Sequence, residues 1–199
     1  MFLPHITLTN ITQGVVAENP NLKYISSITI DSTQSTITGG YMFSGDYSLK
    51  TVTMDFANTN TNGATYVTNA YGMFNNCYSL RSGTLTNTNG FTTVQQMFAN
   101  CNSLTEAPLF DTSNVTTMTE MFNQCTKLET VPAYNTEKVT AMNNMFKGCS
   151  RLTTIAQLDA SKLPTYQNMF DPYGNYNLLT TLGGFTNLGK AYAGNYTLD

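Results

Sequence analysis

The stretch Leu104-Thr-Glu-Ala107-Pro-Leu109-Phe110-Asp111-Thr-Ser-Asn114-Val115-Thr-Thr-Met118-Thr-Glu120-Met121-Phe122-Asn-Gln-Cys125-Thr-Lys127 is one unit of a repeat. Its Met-Phe pair returns at Met73-Phe74, Met97-Phe98, Met121-Phe122, Met145-Phe146 and Met169-Phe170, each 24 residues after the last. An earlier copy, Met42-Phe43, stands 31 residues before Met73. Cys77, Cys101, Cys125 and Cys149 each follow a repeat Met by four residues, and Leu80, Leu104, Leu128 and Leu152 follow the cysteines by three. A strict period in the twenties means stacked supersecondary units, each too small to bury its apolar face alone, so the core runs along the stack.

Within the unit the apolar spacing changes. Leu104, Ala107 and Leu109 follow the order L-x-x-A-x-L, matched by Leu128/Val131/Ala133 and Leu49/Val52/Met54. That suits a short strand that turns back on itself, and Pro108 and Pro132, which donate no ladder hydrogen bond, limit it to about three residues. Val115, Met118, Phe122 and Cys125 then fall at intervals of three and four, as do Val139, Met142, Phe146 and Cys149, which predicts one face of a helix of roughly two to three turns. Asp111-Thr112-Ser113 offers capping groups for such a helix. Thr68, Thr92, Thr116 and Thr140 share a column at its start, where Pro164 replaces them in the last full unit. The expected fold is therefore an α/β repeat solenoid, a leucine-rich-repeat-like stack of short parallel strands and short helices.

The expected organisation is a single domain in three parts. Residues 1–48 form an N-terminal cap with the strand-like run Tyr24-Ile-Ser-Ser-Ile-Thr-Ile30 and a first irregular unit. Residues 49–186 form the solenoid of 24-residue units, and residues 187–199 a C-terminal cap or truncated unit. A seven-residue enlargement near Asn58-Thr-Asn-Thr-Asn-Gly63 and an insertion near Pro172-Tyr-Gly174 interrupt the period.

Composition narrows the function classes. Net charge is -3, and charged residues make up 11% of the chain against about 25% in an average domain. Lys and Arg are few and scattered, which argues against nucleic acid and against an anionic membrane surface. No stretch approaches the ~18 apolar residues that span a bilayer, and the start, MFLPHITLTNITQ, lacks the basic n-region of a secretory signal.

The candidate sites divide by what repetition demands. A 24-residue period spreads the four thiols along a line with no His beside them, so neither a metal centre nor a disulfide framework is expected; the reading is a buried, reduced ladder. The Met-Phe pairs read as core. Asn58-Thr-Asn60-Thr-Asn62-Gly63 imitates the spacing of a calcium loop with every carboxylate replaced by an amide, so no metal is expected there. His5 is the sole histidine, and no phosphate loop or recurrent pair of acids aims at a substrate, so neither catalytic residues nor a cofactor are expected. What remains is the strand face, with the outward pairs Arg81-Ser82, Thr105-Glu106, Glu129-Thr130, Thr153-Thr154 and Thr180-Thr181. Solenoids bind through such stacked faces, and an ordinary solvated sheet would look the same. The candidate ligand-binding residues are Arg81, Glu106, Glu129, Thr130, Thr153 and Thr154.

The run Asp111-Thr-Ser-Asn-Val-Thr-Thr-Met118, followed by Met-Phe and Cys125, resembles the BspA-like surface-protein repeat, whose units read roughly FDTSNVTNMSGMFSGCSSL. The resemblance extends over about residues 65–185. It implies a leucine-rich-repeat-like solenoid displayed on a bacterial surface for adhesion to a protein or glycan. Leu182-Gly-Gly-Phe-Thr-Asn-Leu-Gly-Lys190 is similar to segments in proteins of gut bacteria and their phages, which implies a virion as an alternative location. The first expectation is a non-catalytic recognition or adhesion module at a cell or phage surface. The second, of a different class, is a structural subunit of a bacteriophage virion, capsid or tail, that packs through its caps against other virion proteins.

Overall fold

A computed structural model describes residues 2–3, 6–8, 17–26, 28–30, 36–57, 66–158, 168–170 and 181–182. The expectations placed on His5, on the loop at 58–63, on Pro164, on the insertion at 172–174, on Thr180 and on residues 187–199 lie outside them. The strands are β1 (Phe2–Leu3), β2 (Ile6–Leu8), β3 (Tyr24–Ile25), β4 (Ile28–Ile30), β5 (Thr36–Thr38), β6 (Thr51–Asp55), β7 (Tyr66–Asn69), β8 (Ser82–Thr86), β9 (Thr130–Val131), β10 (Thr154–Ile155) and β11 (Thr181–Leu182). All pairings among the described residues are parallel. They form sheets in the orders β1-β3-β6-β8 and β11-β10-β9, with the further pairs β2-β4 and β5-β7.

Successive coils thus lie side by side, and the period explains the register. Thr51 pairs with Ser82, Glu106 bridges Thr130, and Thr130 pairs with Thr154, which pairs with Thr181. The strand after Leu104 is reduced to that one bridge, as the missing N–H of Pro108 requires. In β6 and β8, Val52, Met54 and Leu85 point inward. In the later coils the third apolar position turns out instead: Leu109 is 68% exposed, and Ala133 is exposed as well. Past the proline the chain leaves the ladder, and the next residues, Phe110 and Tyr134, take the inward place.

The helix expected over Val115–Cys125 does not form, and no helix occurs among the described residues. Each unit carries two residues of positive φ four positions apart: Gln96 (54°) and Asn100 (62°), Glu120 (55°) and Gln124 (62°), Asn144 (55°) and Gly148 (78°). Such left-handed residues break a right-handed helix every turn. The amides consequently divide their bonds between two directions. Met121, Asn123 and Cys125 donate to carbonyls three residues back, at Met118, Glu120 and Phe122. The even-numbered residues Met118, Glu120, Phe122 and Gln124 donate across to Ala141, Asn143, Met145 and Lys147 of the next coil at 2.7–3.0 Å. The segment is a ribbon of consecutive turns whose alternate N–H groups form a parallel ladder between coils. It satisfies its backbone without a helix.

This ribbon still buries the residues that the three-four spacing singles out. Val115, Met118, Phe122, Cys125, Val139, Met142, Phe146 and Cys149 are all buried. The phenylalanines stack face to face from coil to coil, Phe43 on Phe74, Phe98, Phe122, Phe146 and Phe170, with ring centroids 5.5–5.9 Å apart. Each buried ring contributes roughly 1.5–3 kcal/mol by burial and about 0.5–1.5 kcal/mol more through stacking.

The capping roles assigned to threonine are corrected in the same way. Thr92, Thr116 and Thr140 each donate a hydroxyl hydrogen bond to the carbonyl of the equivalent threonine one coil earlier, at 2.9, 2.9 and 3.2 Å. The buried Thr112 hydroxyl donates to the Asn135 carbonyl of the following coil at 2.9 Å. Asp111 Oδ1 accepts from the Ser113 N–H at 2.8 Å and closes a local turn. The Asp-Thr-Ser motif is therefore a coil-to-coil fastener.

Candidate functional site

The strand side of the stack presents two adjacent columns. Arg81, Thr105, Glu129 and Thr153 make the first, and Ser82, Glu106, Thr130 and Thr154 the second. Backbone bonds hold successive members one coil apart: the Glu129 N–H donates to the Thr105 carbonyl at 2.8 Å and the Thr153 N–H to the Glu129 carbonyl at 2.9 Å. Arg81 is fixed to the preceding coil through its N–H, which donates to the Lys50 carbonyl at 2.9 Å.

Of the six candidate residues, Arg81, Glu106 and Glu129 are exposed and Thr130, Thr153 and Thr154 half-exposed, because their inward neighbours Leu128, Val131, Leu152 and Ile155 fill the core. Backbone pairing gathers Glu106, Glu129, Thr130, Thr153 and Thr154 on one face, and Arg81 stands at the same repeat position one coil earlier. The Thr153 hydroxyl donates to the Glu129 carbonyl at 2.9 Å. Arg151 approaches Glu129 with Nη1 3.9 Å from Oε1, and both side chains are half in water, so this ion pair adds little to stability. Chemically the face offers hydroxyls, carboxylates and the guanidinium groups of Arg81 and Arg151, a set suited to recognising hydrogen-bonding ligands.

The thiols lie elsewhere, inside the stack. Cys77, Cys101, Cys125 and Cys149 are free and buried, and each Sγ lies 3.1–3.2 Å from the carbonyl oxygen of a phenylalanine in the preceding coil. Burial pushes all four thiols up, Cys125 to about 12, so they remain protonated donors and not nucleophiles. Among the described residues no three His, Cys, Asp or Glu side chains gather as metal ligands would.

One functional group escaped the sequence reading. Asp46 stands four residues after Met42, in the cysteine column, and is completely buried. Its Oδ1 accepts the Asn19 N–H at 2.6 Å, while Oδ2 has no partner. Desolvation raises its carboxyl to about 7, against the smaller opposing effect of the Asn19 bond. The signal lay in the repeat itself: extending the cysteine column one unit upstream lands on an acid.

Stacked parallel strands around a buried Phe and Cys ladder define a repeat protein in which two stretches of the chain are versions of one another. The chain belongs to the family described as "Mycoplasma protein of unknown function, DUF285", which matches it twice, over residues 21–108 and 92–181. No curated protein and no solved structure matches it.

Proposed function

We propose that the protein is a non-catalytic recognition module, a leucine-rich-repeat-like solenoid of the BspA-like kind, displayed on a bacterial or phage surface and binding through its strand face. The observation that carries this reading is the pair of columns Arg81/Thr105/Glu129/Thr153 and Ser82/Glu106/Thr130/Thr154. They give at least one hydroxyl per coil, joined by a charged group in the coils of Arg81, Glu106 and Glu129, on a backbone-anchored surface. A rigid array of this kind costs little entropy when a ligand binds along it. The test is flow cytometry of the fluorescently labelled chain on bacterial and epithelial cells. Binding should occur and should fall at least tenfold in Arg81→Ala/Glu106→Ala/Glu129→Ala. Binding unaffected by that triple variant would remove the strand face from the mechanism.

A second reading, a virion structural subunit, is supported by β11, which among the described residues is the outermost strand of the sheet β11-β10-β9. An edge strand of this kind pairs readily with another chain. Sedimentation of the purified chain separates the two: a monomer favours the recognition module, and self-assembly or co-assembly through the ends favours the subunit.

A further inference from the structure

Aligning the coils with one another gives an internal control on what the fold needs. The position one residue after the cysteine column is filled by Tyr47, Tyr78, Asn102, Thr126 and Ser150. The backbone is the same in every case: each of these residues donates its N–H to the carbonyl two residues back, at 2.9–3.0 Å. The turn closes equally well around Asn, Thr or Ser, so packing does not require an aromatic ring. Yet in the first two coils Tyr47 and Tyr78 stand there 47% and 45% exposed, stacked with ring centroids 5.2 Å apart and planes within 8°.

The other margin of the same ribbon repeats the pattern. Tyr41 and Tyr71 meet edge to face at 4.9 Å and are partly exposed, where later coils carry Gln95, Gln96, Thr119, Glu120, Asn143 and Asn144. Between the two tyrosine pairs the outward residues are Ser44, Asn75 and Asn76, all partly exposed. Asn75 Nδ2 reaches Gln96 Oε1 at 3.5 Å, and Asn76 Oδ1 accepts from Asn100 Nδ2 at 3.0 Å. Within Gly39–Ser48 and Ala70–Leu80 the one charged residue is the buried Asp46. Glu18, beside Gly45, marks the edge of the patch.

We infer that this tyrosine and amide platform on the turn ribbon of the first two coils is a binding site for a neutral oligosaccharide. Sugar rings present apolar C–H faces and neutral hydroxyls together, the combination that exposed tyrosine rings, phenol groups, serine and carboxamides match. Nucleic acid bases also stack on aromatic rings, but their backbone calls for cations, and neither ribbon segment contains Lys or Arg. A protein partner fits poorly on size. Four rings of roughly 200 Å², none fully exposed, offer at most about 400 Å². A standard protein interface takes about 800 Å² from each side. The site lies on the ribbon and does not depend on the strand-face reading.

The experiment is affinity electrophoresis of the full chain through gels containing a neutral glucan, mannan or galactan, with heparin as the anionic control. The mutant is Tyr47→Ser/Tyr78→Asn, which installs the residues that the same column carries at Ser150 and Asn102. Retardation is expected in at least one neutral gel, with at least a tenfold loss of affinity in the double variant, which stays folded with a thermal midpoint lowered by no more than about 5 °C. Tyr78→Asn alone should show a smaller loss in the same direction. Glu129→Ala/Thr130→Ala should be retarded like the parent, which keeps failure of the strand face distinct from failure of this site. Absence of retardation in all three neutral gels, retardation by heparin alone, or retardation undiminished in both tyrosine variants would overturn the proposal.

Discussion

The coil that contains Met42 and those that follow solve one packing problem with different chemistry. In the later coils a thiol occupies the buried column and bonds to a carbonyl of the coil before it, a match between a weak donor and a dry site. In the first coil the column holds Asp46, with one oxygen on the Asn19 amide and the other unpartnered. A carboxyl in such a place costs free energy when it ionises. The difference teaches that the interior columns are set by shape, while the polarity of the occupant is adjusted to what lies next along the stack. The later coils face another coil, and the first faces the turn at Glu18 and Asn19.

The contrast between inner and terminal coils can be broken most forcefully at the phenylalanine stack. Phe122 lies between Phe98 at 5.6 Å and Phe146 at 5.9 Å. Phe122→Ala should cost about 3–5 kcal/mol in urea unfolding, and Phe43→Ala at the first coil less. Equal costs would mean that the stack does not couple neighbouring coils.

Asp46 supplies the next largest effect. Its folded carboxyl titrates near 7 against an ordinary value of 3.8. The stability it contributes is therefore fully present below pH ~4 and is lost as pH rises through about 7, because the unfolded chain ionises first. Facing it are Glu18, which packs over the adjacent Gly45, and the thiol of Cys77. Asp46→Asn should flatten the pH dependence between 4 and 7 and raise stability at pH 8 by on the order of 2 kcal/mol. Urea midpoints at pH 4 and 8 measure this, and a parent protein already flat over that interval would contradict it.

A smaller effect distinguishes a ribbon of turns from a helix. Gln124 has a φ of 62°, so Gln124→Gly should leave stability unchanged or raise it by up to about 1 kcal/mol. In a helix the same change costs about 1 kcal/mol. Gly148→Ala should destabilise the protein, since φ is 78° and the new Cβ would lie 2.7 Å from the Gln124 carboxamide. The smallest change belongs to the strand face, where Thr130→Ala should stay within about 0.5 kcal/mol by thermal melting.

These residues also mark how far the sequence could be read. Burial repeats with the chain, so Val115, Met118, Phe122, Cys125 and Leu128 announced their inward columns whatever the backbone did between them. The helix was misread because spacings of three and four are shared by a helix and by a run of turns that also returns to one face. Gly45, Asn76, Asn100 and Gly148, all three residues after the unit's Met, carried the contrary signal, since Gly and Asn are the residues that tolerate positive φ. The strand-face columns were legible from the period. The buried column of Asp46 was legible in the same way, one unit upstream of Cys77, but its hydrogen-bond partner was not, because the Asn19 turn is a contact 27 residues away with no repeat to announce it.

The ladder bonds that join one coil to the next also give the molecule a mechanical character. They run along the stack from Tyr41 to Phe146, so a pull on the chain ends would peel a coil from its neighbour and leave the remaining ladder intact. Each coil lost from the regular part frees 24 residues, roughly 80 Å of contour at ~3.3–3.6 Å per residue. Stretched between two anchored points, the stack would lengthen in discrete steps and act as a shock absorber whose stroke is set by the repeat.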